Sequence, residues 1–293
     1  MSIYRIGSGL FSAGISDRGG EPVSLSTADG REILWQADPL YWDGQAPNLF
    51  PVCGRTTGLE YEYRGKKYPM PAHGFLKDSL MRPVVQRPDE VVLEFVPGAK
   101  ERKIYPFDYS VRCGWRIFGT SLEYRIEVEN RGDETMYFAW GGHPGFTLPL
   151  CEGLDFEDYS IVFDEPCAPL RLEITPDGYL GEGRTPLELK DGRILPLKRS
   201  YFEIDGVFMS GACRSLKLCA KKGPSVGMSF PDCPTLGLWT ACGGAAPFIC
   251  IEPWSGTPDR QGVPCVLEKK PDMTALAPGG RYTGSYTITV SEE

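Results

Sequence analysis

The sequence predicts an all-β fold of antiparallel strands, in one domain spanning residues 1–293. Three observations predict it. Over residues 121–130, Leu122, Tyr124, Ile126 and Val128 fall on one face, and Glu123, Arg125, Glu127 and Glu129 on the other. A period of two with one dry face and one wet face is what an antiparallel sheet requires. No window of about a dozen residues or more carries a convincing 3.6-residue period. The chain also holds 35 Gly and 26 Pro among 293 residues, well above the average share of about 12%. Beside sharp apolar alternation, that excess reads as many tight turns. Short apolar runs at a spacing of about 8–12 residues fit a sandwich or a barrel.

Taken in order, residues 1–36 read as short strands interrupted at Gly19-Gly20 and Asp29-Gly30 and ending in Ile33-Leu34-Trp35. Residues 41–51 carry Pro47 and Pro51 and little periodicity, which predicts a loop. Residues 59–68 read as a hairpin turning at Arg64-Gly65. Residues 91–96 form a strand. After the alternating segment at 121–130, Asn130-Arg131-Gly132-Asp133 turns the chain into 135–140, which leads to His143. Further strands are expected at 161–163, 216–219, 225–230, 237–240, 248–251 and 282–290.

Composition excludes several function classes. The net charge is −8 and no Lys/Arg-rich run occurs, which argues against nucleic acid. No apolar run approaches the roughly 18 residues needed to cross a bilayer. The N-terminus lacks a charged segment followed by an apolar one, so a cytoplasmic location is expected. The ten cysteines are scattered without Cys-x-x-Cys spacing, and are expected to be reduced, mostly buried thiols.

Three stretches stand out as candidates for chemistry. Only two histidines occur, His73 and His143, each at a break rich in Gly and Pro. Histidine is the side chain best suited to proton transfer near neutrality. Alone, each reads equally as a buried structural histidine. Glu252 follows the apolar run 248–251. It is either a desolvated general base or a strand-end carboxylate turned to solvent. Trp254 offers an aromatic face of the kind that sugars stack on. Arg55 follows Cys53-Gly54, and either orients a polar ligand or forms a structural ion pair. Asp205 is a turn residue or an acceptor for ligand hydroxyls. Neither histidine has metal-ligand spacing, and no Gly-x-Ser-x-Gly, Walker or GxGxxG motif is present.

The segments Asn48-Leu49-Phe50-Pro51, Gly54-Arg55, His73-Gly74-Phe75, Gly142-His143-Pro144-Gly145-Phe146 and Glu252-Pro253-Trp254-Ser255-Gly256 occur in this order. In this the chain resembles the aldose 1-epimerases (galactose mutarotases), in particular the LacX-like branch. The resemblance covers nearly the whole chain. It implies a large antiparallel β-sandwich, the galactose mutarotase-like supersandwich, with a sugar cleft. It implies Glu252 as general base and His143 as general acid. His73, Arg55, Asp205 and Trp254 would contact substrate, with no metal and no cofactor. The implied partner is a small-molecule sugar, with no nucleic acid or membrane, for a monomer or homodimer. Two alternatives carry the same fold. One is a hexose-6-phosphate 1-epimerase, which needs extra cations such as Arg18 and Lys77. The other is a non-catalytic carbohydrate-binding protein.

Overall fold

The computed structural model describes residues 1–241 and 246–292. Two large antiparallel sheets dominate it. The first has nine strands, in the order Ile194–Pro196, Ser160–Phe163, Ser215–Cys219, Ser225–Ser229, Arg281–Ser291, Ser121–Asn130, Tyr109–Phe118, Glu90–Phe95 and Arg82–Gln86. The second runs Leu180–Pro186, Leu170–Ile174, Val207–Ser210, Thr235–Trp239, Phe248–Trp254, Gly141–Gly142 and Asn48–Leu49, and Gly145–Thr147 also pairs with Phe248–Trp254. A three-stranded sheet, Ile3–Gly7, Phe11–Ser16 and Pro22–Thr27, stands beside them. Among the described residues the only helices are short 3-10 turns.

The alternation at 121–130 becomes the strand Ser121–Asn130, whose even-numbered residues are buried. Leu122, Tyr124, Ile126 and Val128 share one core with Val207, Met209, Leu236, Leu238, Ile249 and Ile251 of the second sheet. Two sheets closing over one apolar layer make a sandwich rather than a barrel. Burial of that layer is the main stabilising term, at about 25 cal/mol per Å² of apolar surface removed from water.

The second sheet is also covered on its outer face. Along Phe248–Trp254 all seven residues are buried. Ile249 and Ile251 face the shared core, while Phe248, Cys250 and Trp254 join separate clusters on the opposite side. A strand buried on both faces loses its apolar–polar alternation. Residues 248–251 therefore read as a continuous apolar run, and the strand extends past Glu252.

Several strands were not anticipated. Tyr109–Phe118 does alternate, with Val111, Cys113, Trp115 and Ile117 buried against exposed Arg112 and Arg116. Leu180–Pro186 has no dry face, because it is an edge strand whose residues are all at least partly exposed. Val207–Ser210 is short and buried on both sides. Ile33-Leu34-Trp35 is not a strand. It crosses to the His143 segment through one bridge, Leu34 to Phe146, and the Trp35 N–H bonds to the Gly145 carbonyl at 2.9 Å. Of the nine described cysteines, all free, five are buried and four half-buried; Cys242 lies outside the described residues.

Candidate active site

The floor of the site is the outer face of the strand Phe248–Trp254. Side chains two apart on a strand share a face, which lines up Phe248, Cys250, Glu252 and Trp254. Glu252 pairs in register with Gly237. A Cβ at Gly237 would stand 3.2 Å from that of Glu252 and 2.8 Å from the Phe208 ring, so only glycine leaves room for the carboxylate here. Glu252 is 1% exposed. Neither of its carboxylate oxygens has a hydrogen-bond partner. Burial, and next the charge of Asp205, push its pKa well above the ordinary carboxyl value.

His143 is held against this strand by its flanks. The Trp140 N–H donates to Ser255 Oγ at 2.7 Å, and the Ser255 N–H donates to the Trp140 carbonyl at 2.8 Å. The Ile251 N–H donates to the Pro144 carbonyl at 3.1 Å. The glycines before His143 permit close approach. A Cβ on Gly142 would lie 2.6 Å from the Tyr286 ring, and one on Gly141 would lie 2.8 Å from the Pro253 carbonyl oxygen. His143 Nε2 ends 3.2 Å from Glu252 Oε2. The contact is close but not aligned as a hydrogen bond, and His143 Nδ1 has no partner. The ring sits between Trp42, at 5.1 Å, and Trp239, at 5.7 Å. Burial lowers its pKa to about 4, so the imidazole is neutral at pH 7.

His73 enters from another loop with an unusual backbone, φ 63°. Its N–H donates to the Gly54 carbonyl at 2.7 Å, and the Gly54 N–H donates to Nδ1 at 3.2 Å. Nδ1 is thus an acceptor, which puts the proton of the neutral ring on Nε2. Burial, then the neighbouring His143, keeps its pKa well below the usual value. Gly74, at φ 73°, lies so close to Phe50 that a Cβ would stand 2.0 Å from that carbonyl oxygen. The backbone of Arg55 is tied to the loop after the central strand. The Asp259 N–H donates to the Arg55 carbonyl, the Thr57 N–H donates to Asp259 Oδ2, and Lys270 Nζ donates to Asp259 Oδ1 at 2.7 Å.

Arg55, His73, His143, Asp205, Glu252 and Trp254 line one cavity of about 630 Å³. All six candidate residues are therefore brought together from distant parts of the chain. Asp205 is a turn residue too, since its Oδ1 accepts the Gly206 N–H at 2.8 Å. Burial raises its pKa, and Arg55 works against that rise. Trp254 departs from the expectation of an open stacking face. It is 1% exposed, packs on Phe208 and His73, and its Nε1 has no partner. Trp42 and Trp239, only half-buried, are the accessible aromatics. Neither they nor Cys250 beside Glu252 were anticipated, because the contacts that matter are through space. Arg18 and Lys77 line the outer part of the cavity, but both are paired with Asp78. Glu21 lines it as well, with its pKa pushed up to about 7 by burial.

A sequence model described as aldose 1-epimerase matches residues 2–289. The chain belongs to the aldose 1-epimerase family. That family is one of isomerases, and the chain is an enzyme of that class. It is 33% identical over 282 residues to the plasmid protein LacX of Lactococcus lactis subsp. lactis, covering 93% of this chain and 94% of the relative. It is also similar to the crystal structure of a galactose mutarotase related enzyme from Lactobacillus acidophilus. That match has 29% identity and a TM-score of 0.95, and covers 99% of this chain and 98% of the other. A galactose mutarotase-like protein from Lactobacillus casei gives 27% identity and a TM-score of 0.93, over 99% and 100% of the two chains.

Proposed function

We propose that this aldose 1-epimerase family member interconverts the α and β anomers of a free hexose, with Glu252 and His143 moving the protons. The observation that carries the reading is a set of unsatisfied polar atoms around one cavity. Both oxygens of Glu252, Nδ1 of His143 and Nε1 of Trp254 are buried without partners. Buried polar groups are nearly always bonded, and each exception costs about 1–3 kcal/mol. A sugar carries hydroxyls that both donate and accept, and so can satisfy such a set.

Burial favours the neutral forms of both Glu252 and His143 in the resting pair. Sugar hydroxyls donating to the carboxylate favour its ionised form. With sugar bound, a small realignment of the 3.2 Å contact lets the Glu252 proton pass to His143 Nε2. Glu252 takes the proton of the C1 hydroxyl while His143 protonates the ring oxygen. The C1–O5 bond breaks and C1 becomes an aldehyde, leaving the pair in its resting state. After rotation about C1–C2 the same steps in reverse close the ring on the other face. His73 Nε2–H, Arg55 and Asp205 hold the ring hydroxyls, and Trp42 and Trp239 cover its apolar face. Each positioned acid or base contributes typically about 10² to 10⁴ in rate.

Polarimetry of freshly dissolved α-D-galactose or α-D-glucose tests the reading. Relaxation well above the buffer rate is expected. No acceleration of any common aldose, together with sugar binding by calorimetry, would leave a carbohydrate-binding protein instead. Arg18 and Lys77 at the outer cavity give hexose 6-phosphates a second place in the same assay. Asp78 neutralises part of that charge, so the free sugar is the expected substrate.

A further inference from the structure

We propose that His143, Cys250 and Glu252 form a binding site for a thiophilic divalent cation such as Zn²⁺, and that the bound cation blocks the acid/base pair. One donor atom of each residue, the imidazole nitrogen, the thiol sulfur and a carboxylate oxygen, lies within 4.8 Å of the other two. Zn²⁺ bonds of about 2.0–2.3 Å in tetrahedral geometry place donors about 3.5 Å apart. His143 Nε2 and Glu252 Oε2 already stand at 3.2 Å, so small side-chain rotations complete the set.

The trio follows from the strand. Cys250 and Glu252 are two residues apart on Phe248–Trp254 and point to the same side. Gly145 pairs in register with Cys250, which brings the His143 segment over both. A second, independent observation marks the site as able to accept a ligand. Glu252 is 1% exposed and neither oxygen has a partner. Cys250 is a free thiol with no exposed surface, packed among Trp35, Ala246 and Phe248. It stands outside the cavity lining, and the proton transfers above make no use of it.

The charges balance. A divalent cation displaces the thiol proton and the carboxyl proton, and both leave to solvent. Thiolate, carboxylate and cation then sum to zero around a neutral imidazole, the condition under which a buried ionic group is tolerated. Three protein ligands leave a fourth position, as in catalytic zinc sites. His143 and Glu252 line the cavity, so that position opens toward it. The donor set of sulfur, imidazole and carboxylate selects Zn²⁺, Co²⁺ or Cd²⁺ over Mg²⁺, which prefers an all-oxygen octahedron. The same two residues cannot hold a metal and a sugar together, so cation and sugar exclude one another.

The test is a Co²⁺ titration of chelator-treated protein, read by the thiolate-to-cobalt charge-transfer band and without turnover. The expected result is a band that saturates near one equivalent and disappears when Zn²⁺ is added. In Cys250→Ala the band is absent, and the Zn²⁺ concentration that inhibits mutarotation rises at least about 10- to 100-fold, with basal activity retained. Cys250→Ser keeps the size of the side chain and serves if the alanine variant does not fold. No thiolate band in the wild type, or the same band and the same inhibition in the Cys250 variants, would overturn the proposal. Because the band requires no substrate, its failure is distinct from failure of the mutarotase reading.

Discussion

At Glu252 stability and function oppose one another. The folded state holds its carboxyl pKa above the ordinary value of 4.5. The neutral carboxyl is therefore tolerated below that pH, and stability is lost as pH rises toward the folded-state pKa. Glu252→Gln removes the titration and keeps the shape. The variant is expected to be more stable than wild type at pH 7, with an advantage that grows from pH 4.5 upward. Its kcat is expected to fall at least about 10²-fold. Denaturant titrations at two pH values and polarimetry check both halves. His143 carries the opposite shift. With its pKa near 4, the acid limb of kcat/KM is expected near pH 4 rather than near 6.5, and an acid limb at 6.5 would contradict a buried neutral imidazole. At this scale the sequence was informative. Two histidines in Gly/Pro-rich breaks and a carboxylate after an apolar run are visible without a structure. Trp42, Trp239 and Cys250 were not, because nothing local to them signals that they face His143 or Glu252.

The elements that position the site are loops pinned to one strand. The most exacting pin is the buried pair Lys270–Asp259, with both side chains 5% exposed. Asp259 ties the Arg55–Thr57 backbone, and Lys270 also donates to the Thr257 carbonyl at 2.9 Å. Lys270→Met leaves a buried carboxylate unpaired, a loss of about 3–5 kcal/mol. We expect a lower Tm and a KM raised more than kcat is lowered, since the proposed role of Arg55 is to hold substrate rather than to react with it. Unchanged KM would remove this loop from substrate positioning. Gly74→Ala drives a Cβ into the Phe50 carbonyl at φ 73°. It is expected to cost more than about 2 kcal/mol and most of the activity, read by thermal unfolding and polarimetry. The signal of one wet face is legible in Ser121–Asn130, and Tyr109–Phe118 carries it too although it was not among the expected strands. The edge strand Leu180–Pro186 and the doubly covered Val207–Ser210 were not, because alternation disappears when both faces meet the same environment.

Across the molecule, the two large sheets share a core that runs from Tyr124 and Trp115 through Ile249 and Ile251. Neither sheet can expose its inner face while the other stays folded. We therefore expect one unfolding transition, with far-UV and near-UV signals coincident; two separated transitions would contradict a single domain. The neighbouring strands Ser121–Asn130 and Arg281–Ser291 are far apart in sequence, and such non-local pairing predicts slow refolding. The same architecture draws His73, His143, Asp205 and Glu252 from four regions of the chain to one cavity. The ordered motifs pointed to that meeting, and the pairing of strands produces it. On this assignment the cavity relaxes a hexose between its anomers through Glu252 and His143. The direct measurement is the initial rate of optical-rotation change of α-D-galactose with wild type, Glu252→Gln and buffer. Fast relaxation is expected with wild type and a rate near buffer with Glu252→Gln. Equal rates for wild type and the variant, or for wild type and buffer, would contradict it.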